Sequence, residues 1–221
     1  MKLNLERFQR RMLQTDPFSL EGMVRSLLIH YFFHVSNRQI VEVVSGHQVV
    51  RQPLNLHSPT VFKGQGKIRV DASATFGVVQ SPGAYACSYL EARTIHSLIE
   101  IGAETTINNR AVIISEGAGI KIGARCLIGS ELMVTDSNNH ELEISQRKLA
   151  DKNPQSVVIG DDVFIGARAI LLKGCRIGDG CVIAAGCVVP PSFVAPPLSI
   201  IAGNPAKVVA KLHDGVASGQ G

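Results

Sequence analysis

His140 is the residue best suited to chemistry. It sits in MVTDSNNHELE, a polar stretch between two apolar ones, and an imidazole can take or give a proton near neutral pH. A His in a loop is usually a solvated side chain, so position alone does not make this one a base. Asp136, four residues upstream, Glu143, or a backbone carbonyl could orient the ring. Asn108 and Asn109 in INNRAV could donate amide hydrogens to a developing negative charge, or could simply occupy a tight turn whose left-handed backbone Asn tolerates. Cys175, Cys181 and Cys187 stand six residues apart and raise the question of a metal. Cysteines are equally small apolar fillers of an interior, and no metal is expected.

The frame that must position these residues is written in a repeat. Aliphatic residues recur every six positions at Ile159, Ile165, Leu171, Ile177, Ile183 and Val189. Two residues before each lies Val157, Val163, Ala169, Cys175, Cys181 or Cys187, and Gly follows at Gly160, Gly166 and Gly178. The phase returns at Ile101, Ile107, Ile113 and, shifted, at Ile122, Ile128, Val134, with a weaker rung at Val70 and Phe76. A helix needs a period near 3.6 and a lone strand a period of two. Period six means a short strand, a turn and another short strand, stable only when successive coils stack and bury the aliphatic ladder. The repeat runs from about 68 to 189, with interruptions at 77–98, 114–121 and 135–156.

Composition is consistent with this. Gly numbers 21, Trp is absent and aromatics make up 5%, which suits aliphatic ladders and tight turns. The formal charge is +4 without a basic run, so a nucleic-acid partner has no support. The charged start MKLNLERFQRRML lacks the apolar core of a signal peptide. The most apolar early stretch, 23–35, carries Arg25, His30 and His34 and is too short to span a bilayer. Five Cys without a CxxC pair suggest reduced thiols and a cytoplasmic setting. SLEGMVRSLLIHYFFH reads as an amphipathic helix with Ser19 as N-cap.

The repeat together with the ending IAGNPAKVVAKL resembles the left-handed β-helix hexapeptide acyltransferases, and among them the galactoside and maltose acetyltransferase type and the polysaccharide O-acetyltransferases. The resemblance covers roughly 65 to 212. It implies an all-β fold, a left-handed parallel β-helix of hexapeptide repeats at 65–212; the residues outside it read as a short α-helical and irregular N-terminal cap at 1–64, covering the open first coil, and a flexible tail at 213–221. It implies transfer of an acetyl group from acetyl-CoA, without a metal, to a hydroxyl of a sugar or polysaccharide precursor. Amino sugar N-acetylation and a non-catalytic assembly role are the alternatives. A zinc carbonic anhydrase on the same fold would need three His ligands, and only His96 and His140 lie near the repeat.

The family places its catalytic His where His140 stands, with an apolar rung and an Asp before it. Many relatives carry Asp two residues before this His, where this chain has Asn138. By the same resemblance, Asn108 or Asn109 would bind the acceptor, Ala167 in FIGA and Ala185 in IAAG would contact CoA, and Lys207, with Lys211, would face a CoA phosphate. Pro190 and Pro191 replace the Thr-Lys that relatives often carry after the last rung, and the turn SFVAPPLS is longer. A homotrimer is implied, with any membrane contact peripheral at most.

Overall fold

The computed structural model describes residues 55–83 and 86–212, together with Leu20, Met23, Val24, Leu27 and Tyr31. Those five lie on helical backbone, inside the segment where a helix is expected, and are exposed. The remainder of the expected cap up to residue 54 and the tail at 213–221 lie outside the described residues, whereas 55–64 belong to the first coil of strands.

The chain winds through successive three-strand coils. The first two hold β1 (Asn55–Leu56), β2 (Thr60–Gly64) and β3 (Lys67–Val70), then β4 (Thr75–Phe76), β5 (Ser88–Ala92) and β6 (Leu98–Ile101). The next two hold β7 (Thr106–Ile107), β8 (Val112–Ser115) and β9 (Ile120–Ile122), then β10 (Leu127–Ile128), β11 (Met133–Thr135) and β12 (Val157–Ile159). The last full coils hold β13 (Phe164–Ile165), β14 (Ile170–Leu171) and β15 (Arg176–Ile177), then β16 (Val182–Ile183), β17 (Val188–Val189) and β18 (Val194–Ala195). Finally β19 (Ser199–Gly203) and β20 (Ala206–Lys211) form an antiparallel pair that closes the end.

Every third strand pairs in parallel, giving three sheets. Sheet A runs β1-β4-β7-β10-β13-β16-β19-β20, sheet B runs β17-β14-β11-β8-β5-β2, and sheet C runs β18-β15-β12-β9-β6-β3. This is a parallel β-helix. Strands β1 and β2 carry it upstream of residue 65.

Because register is kept from coil to coil, like residues stack. Phe76, Ile107, Ile128, Ile165, Ile183 and Ile201 form the inner ladder of sheet A. Phe62, Leu90, Ile113, Val134, Leu171 and Val189 form that of sheet B. All of these are buried. Strands of two to five residues are too short to stand alone, and burying these ladders holds them. Cys175, Cys181 and Cys187 are buried in the interior at the corners leading into sheets C, A and B, respectively.

The turns have two requirements. One is close approach: a Cβ on Gly166 would lie 2.4 Å from the Ala185 nitrogen of the next coil, so only Gly fits. The other is a left-handed residue six steps apart, at Asp162, Arg168, Gly174, Gly180, Gly186, Ser192 and Leu198. Charged residues at such positions pair across coils. Arg125 forks onto Asp162 at 2.8 and 2.7 Å, and Glu131 lies between Arg110 and Arg168.

Candidate active site

His140 lies at the B–C corner, in the long excursion between β11 and β12, and its side chain is exposed. A loop that long would wander unless pinned, and buried polar groups pin it at both ends.

At its start, Asp136 is fully buried. Its Oδ1 accepts the Glu116 N–H at 2.6 Å, and its Oδ2 accepts from the Ser115 hydroxyl at 2.8 Å and the Ala118 and Gly119 N–H groups at 2.9 and 2.7 Å. The Asp136 carboxylate therefore secures the 115–119 turn of the preceding coil, and none of these four donors comes from His140.

Next, the Ser137 hydroxyl donates to Glu116 Oε2 and accepts the Asn139 N–H at 2.9 Å. Glu116 Oε1 is 3.1 Å from Arg93 Nη1, and that nitrogen also donates to Asn139 Oδ1 at 3.2 Å. Asn139 has φ +61°, in the region Asn adopts most readily among non-glycine residues. Glu91 takes the other side of the Arg93 guanidinium at 3.0 and 3.3 Å. Burial, and after it the Glu91 charge, raises the pKa of the neighbouring Tyr89 phenol.

At the loop's return, Asp151 accepts the Asn138 N–H at 2.8 Å, the Asn153 N–H at 2.9 Å and the Lys173 ammonium at 2.6 Å. Lys173 also donates to the Asn153 carbonyl at 3.0 Å. Burial pushes the Asp151 carboxyl up, but Lys173 and the two backbone donors outweigh it and leave the carboxyl below its ordinary value. His96, the other histidine near the repeat, stands exposed on the same corner in the second coil.

The A–B corner gathers most of the other expected residues. Asn109, Ser130, Ala167 and Ala185 form one stack: Asn109 O accepts the Glu131 N–H at 2.9 Å, Ser130 O the Arg168 N–H at 2.8 Å, and Ala167 O the Gly186 N–H at 2.8 Å. Lys207 pairs with Ala202, which continues the register of Ala184 beside Ala185, at the end of this stack. Lys211 pairs with Ser199 at the far end of β19, about 13 Å away along the strand. The structure thus brings Ala167, Ala185 and Lys207 to one corner and leaves Lys211 apart.

Both asparagines hold the neighbouring 78–82 loop. Asn109 is fully buried; its Oδ1 accepts the Val78 N–H and its Nδ2 donates to the carbonyls of Val78, Ser81 and Pro82. Asn108 Nδ2 donates to Ser81 Oγ at 3.0 Å, and its Oδ1 accepts the Asn109 N–H at 2.7 Å.

Sheet B, one side of the prism, lies between the corner of His140 and the corner of Ala167, Ala185 and Lys207 within a chain. Among the described residues, no group of three His, Cys, Asp or Glu is placed to hold a metal ion, and no helix is long and apolar enough to cross a membrane.

Residues 156–191 match the family model described as bacterial transferase hexapeptide (six repeats). Among solved structures, the chain is similar to a polysialic acid O-acetyltransferase (20% identity, 76% of this chain and 80% of that chain covered, TM-score 0.57). It is also similar to a galactoside acetyltransferase in complex with coenzyme A (18% identity, 96% and 92% covered, TM-score 0.53). A hexapeptide-repeat acetyltransferase from Vibrio cholerae in complex with acetyl coenzyme A matches at 22% identity over 93% of this chain and 98% of that one, with a TM-score of 0.43. At these identities the likeness is one of fold.

Arg93, Glu116, Asp151 and Lys173, which hold the His140 loop, have no signature in the sequence. They come from different coils, and only folding puts them beside the loop.

Proposed function

We propose that this protein is a coenzyme A-dependent acyltransferase that moves an acetyl group from acetyl-CoA to a hydroxyl of a sugar or polysaccharide precursor. The observation that carries this reading is the presentation of His140: an exposed imidazole on a loop pinned at both ends by buried carboxylates. The fold shared with a galactoside and a polysialic acid acetyltransferase supports the substrate class.

In this reading His140 takes the acceptor hydroxyl proton as that oxygen attacks the thioester carbonyl carbon. The tetrahedral intermediate collapses, the carbon–sulfur bond breaks, and the CoA thiolate receives the proton from the imidazolium. The products are the acetyl ester and CoA thiol, and His140 is neutral again. The thioester supplies the activation, so the chemistry requires no metal. Ala167 and Ala185 offer the donor a backbone edge, and Lys207 at the end of that edge suits a phosphate. Since His140 stands on the other corner, a complete site needs the B–C corner of one copy to meet the A–B corner of another, as in a homotrimer. Five free cysteines suit a reducing, cytoplasmic setting.

The test is thiol release from acetyl-CoA with a panel of hexoses, amino sugars and oligosialic acid. Release with a hydroxyl acceptor, reduced roughly 10²–10⁴-fold by His140→Ala, supports the reading. Release only with amino sugars, and acylated nitrogen in the product, would shift it to N-acetylation. No release with any acceptor would leave a non-catalytic assembly protein.

A further inference from the structure

Asp151 and Lys173 have no counterpart in the reaction just described, yet they form a nearly buried ion pair: the Asp151 side chain is 5% exposed and that of Lys173 13%. Taking two charges out of water is costly, and an isolated pair seldom returns the cost as stability. This pair is placed where it fixes geometry. Asp151 Oδ2 holds the N–H of Asn138, two residues before His140, while Oδ1 holds the N–H of Asn153 on the returning arm. One carboxylate thus closes the base of the loop. Lys173 lies between β14 and β15, on the coil beyond the loop, and bonds both that carboxylate and the Asn153 carbonyl. The loop is thereby tied to the rigid stack, and Lys173 touches neither His140 nor the donor corner.

We propose that Asp151 and Lys173 are positioning residues for His140, a carboxylate–ammonium clamp that closes the loop and fixes the imidazole against the β-helix. The clamp belongs to a chain with Asn138, not Asp, two residues before the His. With no carboxylate side chain there, the structure holds residue 138 by its backbone, from a carboxylate thirteen positions downstream. This inference rests on His140 being the base.

The experiment uses the full-length protein, acetyl-CoA and whichever sugar gives the fastest thiol release. Lys173→Met keeps most of the side chain's length and removes its charge. It should lower kcat roughly ten- to hundredfold, the scale of an ångström-sized misplacement, and leave the KM for acetyl-CoA within about twofold. Lys173→Arg, which keeps the charge and reaches the same carboxylate, should recover most of the loss. In a His140→Ala background, Lys173→Met should cost nothing more, because a residue acting through His140 has nothing left to position. Trypsin should cut faster at Arg147 and Lys148, both exposed in this loop, in Lys173→Met than in the parent, at equal melting temperature.

Unchanged kcat in Lys173→Met, with His140→Ala inactive, overturns the clamp and leaves the base standing. A loss that persists in full on top of His140→Ala also overturns it, since Lys173 would then act independently of the imidazole. Normal turnover in His140→Ala removes the base and the clamp together. A Lys173→Met protein that melts early decides nothing about positioning by itself, and the decision then falls to Lys173→Arg: recovered folding without recovered kcat overturns the proposal.

Discussion

Asp136 Oδ2 lies 2.7 Å from the Gly119 nitrogen. That contact joins the loop carrying His140 to the turn of the coil before it. The same carboxylate also takes the Glu116 and Ala118 N–H groups, so a single side chain satisfies three backbone donors of a turn that makes no ladder there.

Asp136→Ala should therefore be among the most destabilising polar substitutions in the chain. It leaves three backbone donors without their acceptor, at about 1–3 kcal/mol each, offset where water can enter. A loss of roughly 3–5 kcal/mol in denaturant unfolding is expected, together with loss of activity. Asp136→Asn should also destabilise, because its amide brings hydrogens to where the turn already supplies them. A stable, active Asp136→Ala protein would show that the turn holds without its carboxylate.

The contrast between Asp136 and the inner ladders shows what a sequence can carry. The step from Ile159 to Val189 was legible because each rung repeats the same local demand: an inward aliphatic, a Gly where coils approach closely, and a left-handed corner. The strand Ser88–Ala92 was not legible, although Leu90 stacks between Phe62 and Ile113. It follows a loop that breaks the six-residue phase, so its rung cannot be counted from its neighbours. Asn109 was visible as a turn residue or an acceptor contact. The structure commits its whole amide to the 78–82 loop, a partner with no fixed spacing from it. Arg93 and Lys173 were silent for the same reason: their contacts with the His140 loop run between coils, and no periodicity marks a contact made once.

The cysteines separate by burial. Cys87 is exposed, and Cys126, Cys175, Cys181 and Cys187 are buried. Burial pushes the Cys175 thiol up to about 12 and raises the others. In a timed reaction of native protein with a disulfide reagent at pH 8, Cys87 should react first and the other four only as the β-helix opens. Cys181→Ala should cost on the order of 1–2 kcal/mol. Tightly bound zinc in the purified protein would contradict an interior, apolar role for these thiols.

The Asp151 carboxyl has a depressed pKa in the folded protein. A depressed folded value means that its contribution to stability is present above the ordinary carboxylate pKa, about 3.9, and is lost as pH falls through the folded value. At pH 7 the loop should be closed, and it should open only well below pH 4. Amide exchange at Asn138 and Asn153, corrected for the intrinsic effect of pH, should stay protected from pH 7 to about 4 and lose protection below that. Protection already lost near pH 6 would mean that Asp151 does not hold these amides.

Donor and base should separate in kinetics. Lys207→Ala removes a charge at the end of the Ala167–Ala185 edge, so it should raise the KM for acetyl-CoA with a smaller effect on kcat. His140→Ala should lower kcat and leave the dissociation constant of CoA, measured by calorimetry, nearly unchanged. An unchanged donor KM in Lys207→Ala would move the phosphate contact elsewhere, with Lys211 the next to test.

If a working site joins the B–C corner of one copy to the A–B corner of the next, two different inactive proteins should rescue each other. His140→Ala destroys one corner. Ala185→Trp, which places a bulky ring on the exposed donor edge, should block the other and leave the fold intact, because Ala185 faces solvent in the single chain. Each homogeneous protein should be inactive. In an equal, randomly mixed assembly, a site works when its His comes from an Ala185→Trp chain and its donor edge from a His140→Ala chain, so about a quarter of the sites should work. Co-expression with two different affinity tags isolates the mixed assembly, and its specific activity can be read against the parent. In a trimer purified through both tags one site in three works, so recovery near a third of the parent activity requires that both corners meet across copies. No recovery in a verified mixed assembly would place the donor and His140 on the same chain, with the acetyl group reaching across sheet B.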